Sequence, residues 1–279
     1  MLYCAIQNKL IGNFMSIEKK PLVNDLYTAD PSAHVFNGKI YIYPSHDEDI
    51  DVENNDNGDQ YDMKDYHVYE MPDTETYPRD CGCVLKLEDI PWASKQLWAP
   101  DCVEKDGKYY FVFPARDKEG FFRIGIATSD KPEGPFKAEP NYIPGSYSID
   151  PCMFPDTDGK YYLTFGGIWG GQLDQYRNNK WSADNKEPKG DEEACTAKIA
   201  LMKDNLLEMA EEPKDIMILD ENGKPLTGGD EARRYFEDPW MFKKGDTYYF
   251  TYSTGTTHLL CYATSKSVYG PFTYGGVIL

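Results

Sequence analysis

The chain is short of positive charge, of histidine and of long apolar runs, and each shortage excludes something. Lys and Arg total 29 against 47 Asp and Glu, a net charge of −18 over 279 residues. That charge repels phosphate backbones and anionic lipid, so neither nucleic acid nor a membrane surface is an expected partner. A neutral or cationic ligand is favoured instead. No stretch approaches 18 consecutive apolar residues, which excludes a membrane-spanning helix. The four histidines, His34, His46, His67 and His258, show no zinc-pair spacing along the chain. Neither G-x-G-x-x-G nor G-x-x-x-x-G-K-[ST] occurs, so nucleotide binding has no support. Sustained helical periodicity is missing as well; only Ala210–Asp215 is expected to make a single turn.

Aromatic residues are plentiful. The 22 Tyr and 13 Phe favour strands, and such rings also stack on sugars. A mean hydropathy of −0.63 still leaves enough apolar material for a core. The seven cysteines are dispersed, and Cys81 and Cys83 are too close for a zinc knuckle, so all seven are expected as reduced thiols. Asn8, Lys9 and Asn13 interrupt any secretory pattern, so the expected address is the cytoplasm. Residues 1–20 are expected to be an N-terminal extension, with Met15 a candidate initiator, and 21–279 to form one β domain.

Four segments repeat. Ala29-Asp30-Pro31, Ala99-Pro100-Asp101, Ile149-Asp150-Pro151 and Glu237-Asp238-Pro239 are each followed by an apolar strand, a Gly turn and an aromatic strand. That is a β-hairpin with its turn chemistry in place. The segments FRIGIATSDKPEGPF (122–136) and LLCYATSKSVYGPF (259–272) add a second hairpin to two of them. Two hairpins in tandem make a four-stranded propeller blade. Asp47–Asp65 and Gln172–Glu193 are insertions, expected as surface loops over one face. Thr273–Leu279 is expected to approach a further blade.

In a propeller the matching ends of the inner strands meet at the axis. Asp30, Asp101, Asp150 and the Glu237-Asp238 pair would then surround one depression. Clustered carboxylates raise one another's pKa and set a general acid beside a general base, as glycosidic-bond cleavage requires. An Asp before Pro also caps turns, so any one of them alone has a structural reading.

These motifs, with Leu97-Trp98-Ala99-Pro100-Asp101 and Phe236-Glu237-Asp238-Pro239-Trp240, resemble glycoside hydrolase family 43 over roughly Asn24 to Leu279. The resemblance implies an all-β, five-bladed propeller, about four blades here with the fifth incomplete. It implies an inverting mechanism in which Asp30 matches the general base, Asp150 the carboxylate that tunes and orients the acid, and Glu237 the general acid. Inversion sets base and acid carboxyls about 6.5–9.5 Å apart. Asp101 keeps the register but is read as structural. Trp98 is a candidate sugar platform with a core Trp as its alternative, and Phe36 and Trp169 are weaker candidates of the same kind. Arg233 and Arg234 are candidates for a sugar hydroxyl or a carboxylate, or else solvated charges. No cofactor is required. A structural Ca2+ on the axis is a further implication, with His258 its candidate ligand.

The expected activity is exo-acting release of xylose or arabinose from pentose-containing, xylan-derived oligosaccharides, as a β-xylosidase or α-L-arabinofuranosidase. The alternatives are an endo-arabinanase, a non-catalytic sugar-binding propeller, and a truncated, inactive ring. An incomplete ring leaves a blade edge exposed, so homo-oligomerisation through that edge is expected.

Overall fold

The computed structural model describes residues 21–279; the extension expected over 1–20, with Cys4 and Met15, lies outside the described residues. The first blade is an antiparallel sheet of β1 (Thr28–Phe36), β2 (Lys39–His46), β3 (Asp65–Met71) and β4 (Arg79–Lys86). The second holds β5 (Ala93–Lys95), β6 (Asp101–Lys105), β7 (Lys108–Asp117), β8 (Phe122–Ser129) and β9 (Lys137–Ala138), with both β5 and β6 on β7. In the third, β10 (Cys152–Pro155) and β11 (Tyr161–Phe165) pair in turn. A two-stranded ribbon of β12 (Tyr176–Arg177) and β13 (Lys180–Trp181) then interrupts the sheet, which resumes with β14 (Lys198–Leu201) and β15 (Lys214–Asp215). The fourth begins with β16 (Ile218–Leu219) and continues through β17 (Glu237–Lys244), β18 (Thr247–Ser253), β19 (Leu260–Ser265) and β20 (Phe272–Val277). Its outermost strand, β16, pairs parallel with β20.

The inner strands stand side by side, β1 beside β6, β6 beside β10 and β10 beside β17. This is an all-β, propeller-like arrangement with four blades among the described residues. Two sequence expectations need correction. Residues 273–277 belong to β20 and complete the fourth blade, because the Gly270 turn sends the chain back against β19; they do not start a fifth. Ala210–Asp215 forms no helical turn: Ala210 N–H is drawn to Leu201 O and the chain runs on into β15.

Apolar side chains from facing sheets fill the spaces between blades. Tyr43, Tyr66, Phe111 and Phe113 pack between the first two, with the Tyr66 and Phe111 rings 4.9 Å apart and edge to face. Val112, Met153, Leu163, Phe165, Phe250 and Phe272 continue the core through the rest. Asp101 is 1% exposed. It accepts from Met153 N–H at 2.8 Å and pairs with His34 Nε2 at 2.6 Å, which ties three blades together. It is structural, as its sequence reading holds. Six described cysteines are free thiols.

Candidate active site

Asp30, Asp150 and Asp238 share one backbone device. Each precedes a Pro and has a positive φ, of 45°, 56° and 56°. A non-Gly residue held there is strained, and Asp tolerates it better than most. Register shifts between Ala29 and Ser32 and between Glu237 and Trp240 mark the same step in β1 and β17. The step turns each Asp toward the axis. The residue just before it, Ala29, Ile149 or Glu237, lines the same cavity. Only the fourth blade therefore adds a second carboxyl at this position.

The cavity holds about 760 Å³ and is lined by Asp30, Asp150, Glu237 and Asp238. A second space of about 360 Å³ runs on along the axis past Pro31, Ser32, Pro151 and Pro239. Asp30 is exposed to the cavity, yet the protein packed around it, then the charges of Asp238 and Asp47, push its carboxyl up to about 7. Burial, then Asp238 and Asp30, push Glu237 up to about 8. Asp150 is raised well above the usual carboxylate range by burial and by Asp238, Glu237 and Asp30, against one backbone N–H from Asp238 at 3.2 Å. Asp238 is raised by burial and partly restored by the Ser253 hydroxyl, which donates to it at 3.0 Å. Like charges in one low-dielectric space cannot all ionise, so protons stay on the cluster near neutrality.

The 47–64 loop folds over this cavity, and Trp169 and Gly170, just before the second insertion, line it beside that loop. Gly170 N–H donates to Asp56 O at 2.7 Å, and Gln172 Nε2 of the second insertion donates to Asn57 Oδ1 at 3.4 Å, which ties the two segments together. Trp98 is the wedge beneath them: it is 9% exposed and its Nε1 donates to Tyr61 O at 2.7 Å. A Cβ at Gly58 or Gly170 would lie 2.3 or 2.4 Å from its ring, so both positions need glycine. Trp98 is thus a cavity wall and a packed residue at once. Trp169, 47% exposed, stands edge-on to Phe236 on the same lining. Arg116, 3% exposed, braces the 47–64 loop through Asn57 O at 2.7 Å and the turn between β7 and β8 through Gly120 O at 2.7 Å.

Three expected site residues, Phe36, Arg233 and Arg234, stand elsewhere. Phe36 lies at the far end of β1, six residues and about 20 Å of strand from Asp30, stacked on His34 and against Tyr109. Arg233 pairs with Asp230 and Glu221 on the outer side. Arg234 is buried and bonds Glu187 at 2.6 Å, holding the second insertion in place. Neither arginine lines the main cavity. His258 is exposed on the cavity rim and belongs to no three-ligand cluster among the described residues. Asp238, which the sequence places at the axis without a role, and Asp47 line the cavity, and Arg116 braces the loop over it; sequence reasoning gave none of the three a role. The repeat register was the available signal for Asp238.

The model of the family "Glycosyl hydrolases family 43" matches residues 19–275. A xylosidase/arabinosidase of Bacteroides ovatus is 57% identical over 95% of this chain and 82% of its own length. A β-xylosidase of Xylanibacter ruminicola is 52% identical over 91% and 80%. A solved β-xylosidase/α-arabinofuranosidase from a compost microbial metagenome, in complex with xylotriose and in a calcium-free form, superposes with a TM-score of 0.90 at 55% identity. It covers 93% of this chain and 80% of that one.

Proposed function

The chain belongs to glycosyl hydrolases family 43, and on that footing we propose that it is an exo-acting, inverting glycosidase releasing xylose and arabinose from xylan-derived oligosaccharides. Asp30 takes a proton from water, which attacks the anomeric carbon opposite the leaving oxygen. Glu237 gives its proton to that oxygen as the glycosidic bond breaks. Asp238 and Asp30 keep that proton on Glu237 until then, and Asp150 takes the tuning and orienting role that the family resemblance implies. The observation that carries this reading is a carboxyl raised to about 8, hence protonated at neutral pH, in the same cavity as Asp30. The 47–64 loop, with Trp169 and Gly170 beside it, walls the cavity and supports action at a chain end. Trp98 and Trp169 are the sugar-facing rings.

Hydrolysis of 4-nitrophenyl β-D-xylopyranoside and 4-nitrophenyl α-L-arabinofuranoside tests this, with Glu237→Gln and Asp30→Asn alongside. Release by the wild type, lost in both variants, is expected; no release from either sugar overturns the proposal.

Three finer points belong to the same reading. A five-bladed ring fits the axial space, which is lined by Pro31 and Ser32 of the first blade and by Thr251, Ser253 and Leu260 of the fourth. Self-association through a blade edge is part of the same proposal, and light scattering reads it directly. An axial Ca2+ fits the donors there, all oxygen: Ser32 Oγ is buried without a partner beside Asp150 and Asp238. When bound, such an ion would offset part of the clustered negative charge.

A further inference from the structure

We propose a second metal site, for Zn2+ or a cation of similar preference, at the stem of the 47–64 loop, held by His46, Asp65 and His67. Strands β2 and β3 run antiparallel with Ile42 opposite Tyr69. The same register carried on sets His46 opposite Asp65, with His67 one full pleat along. The two histidines are 21 residues apart, so only the hairpin brings them together. One ligand atom from each of the three residues lies within 4.8 Å of the others. The imidazole rings are 5.4 Å apart and edge to face.

The chemistry is that of a borderline cation rather than calcium: two imidazoles and one carboxylate, with a fourth position for water. His67 also has the outer support of a metal ligand. Its Nδ1 faces the Asp80 carboxylate at 2.9 Å, and Asp80 is itself fixed by Gly82 N–H at 2.7 Å. With Nδ1–H donated there, the Nε2 lone pair is free. His46 Nδ1 and Asp65 Oδ1, 2.5 Å apart, form a hydrogen bond that a cation would open and replace. All three ligand side chains are 16–26% exposed, so an ion can reach them. His46 ends β2 and Asp65 starts β3, so the ion would close the loop that carries Asp47, Asp56, Gly58 and Tyr61 over the cavity.

The test uses the full chain, stripped with chelator and titrated with Co2+ and then Zn2+. One equivalent of Co2+ should give the visible absorption of a low-coordinate nitrogen–oxygen site, and Zn2+ should bleach it. His46→Gln and His67→Gln should abolish that spectrum. Asp80→Asn keeps all three ligands and should weaken binding about 10-fold. Zn2+ should raise the melting temperature of the wild type but not of His67→Gln, whose fold is checked by circular dichroism in chelator. Absence of the spectrum overturns the proposal, as does a spectrum unchanged in both histidine variants, which would put the ion on the axial carboxylates.

Discussion

Replacing Glu237 by Gln should stabilise the protein while disabling it. Glu237 rises from an ordinary 4.5 to about 8 through burial and the neighbouring Asp238 and Asp30. The folded chain therefore keeps a proton that the unfolded chain gives up near pH 4.5. This contribution to stability is full below 4.5 and is lost as pH rises toward 8. Between pH 5 and pH 7 the loss is roughly 2 kcal/mol for this one group. Gln has nearly the same shape and no proton to lose, so its melting temperature should fall less over that interval. For a domain of this size, 2 kcal/mol corresponds to about 4 °C. Thermal melts of both proteins at pH 5 and pH 7, followed by circular dichroism, read the difference directly. Parallel melting curves, with the same pH dependence in both proteins, would refute the electrostatic account of the site.

Other outcomes follow from the same geometry. The pH profile of kcat/KM should be a narrow bell, its acid limb set by Asp30 near 7 and its basic limb by Glu237 near 8; a plateau from pH 5 to 9 contradicts this. Asp238→Asn removes the charge that acts on both groups, so both limbs should move to lower pH in the same assay. Gly170→Ala drives a Cβ to 2.4 Å from the Trp98 ring at a φ of +69°. It should cost about 1–3 kcal/mol and raise KM, read by melting and steady-state kinetics. Asp101→Ala strands His34 and the Met153 N–H. It should lower stability by about 1–3 kcal/mol for each group left unpaired, with an unchanged pH profile in the protein that remains folded.

Much of this was legible in the sequence because each blade carries its own signals. Gly turns, aromatic strands and an Asp at the inner end recur, and the propeller follows from their repetition. The axial carboxylates were legible for the same reason: repeat register becomes angular position around an axis. What depends on contact between distant segments was not legible. Gly58 and Gly170 enclose Trp98 from two separate loops, and Arg116 reaches 59 residues back to Asn57. His46 and His67 meet only through the β2–β3 register. Nearness in sequence also misleads. Arg233 and Arg234 sit just before Glu237, yet their side chains serve Asp230 and Glu187. Phe36 shares a strand with Asp30, but an extended strand carries it out of reach. Residues 273–277 look like the start of something new because nothing local says that they pair backward with β19.

The central claim is that Asp30 and Glu237 act on opposite faces of one pentose. Proton NMR of xylobiose hydrolysis, recorded before mutarotation, tests it most directly, with Asp30→Asn and Glu237→Gln run beside the wild type. The account predicts that α-xylose appears first and that both variants are silent. First appearance of the β anomer, or turnover by either variant at the wild-type rate, would contradict it.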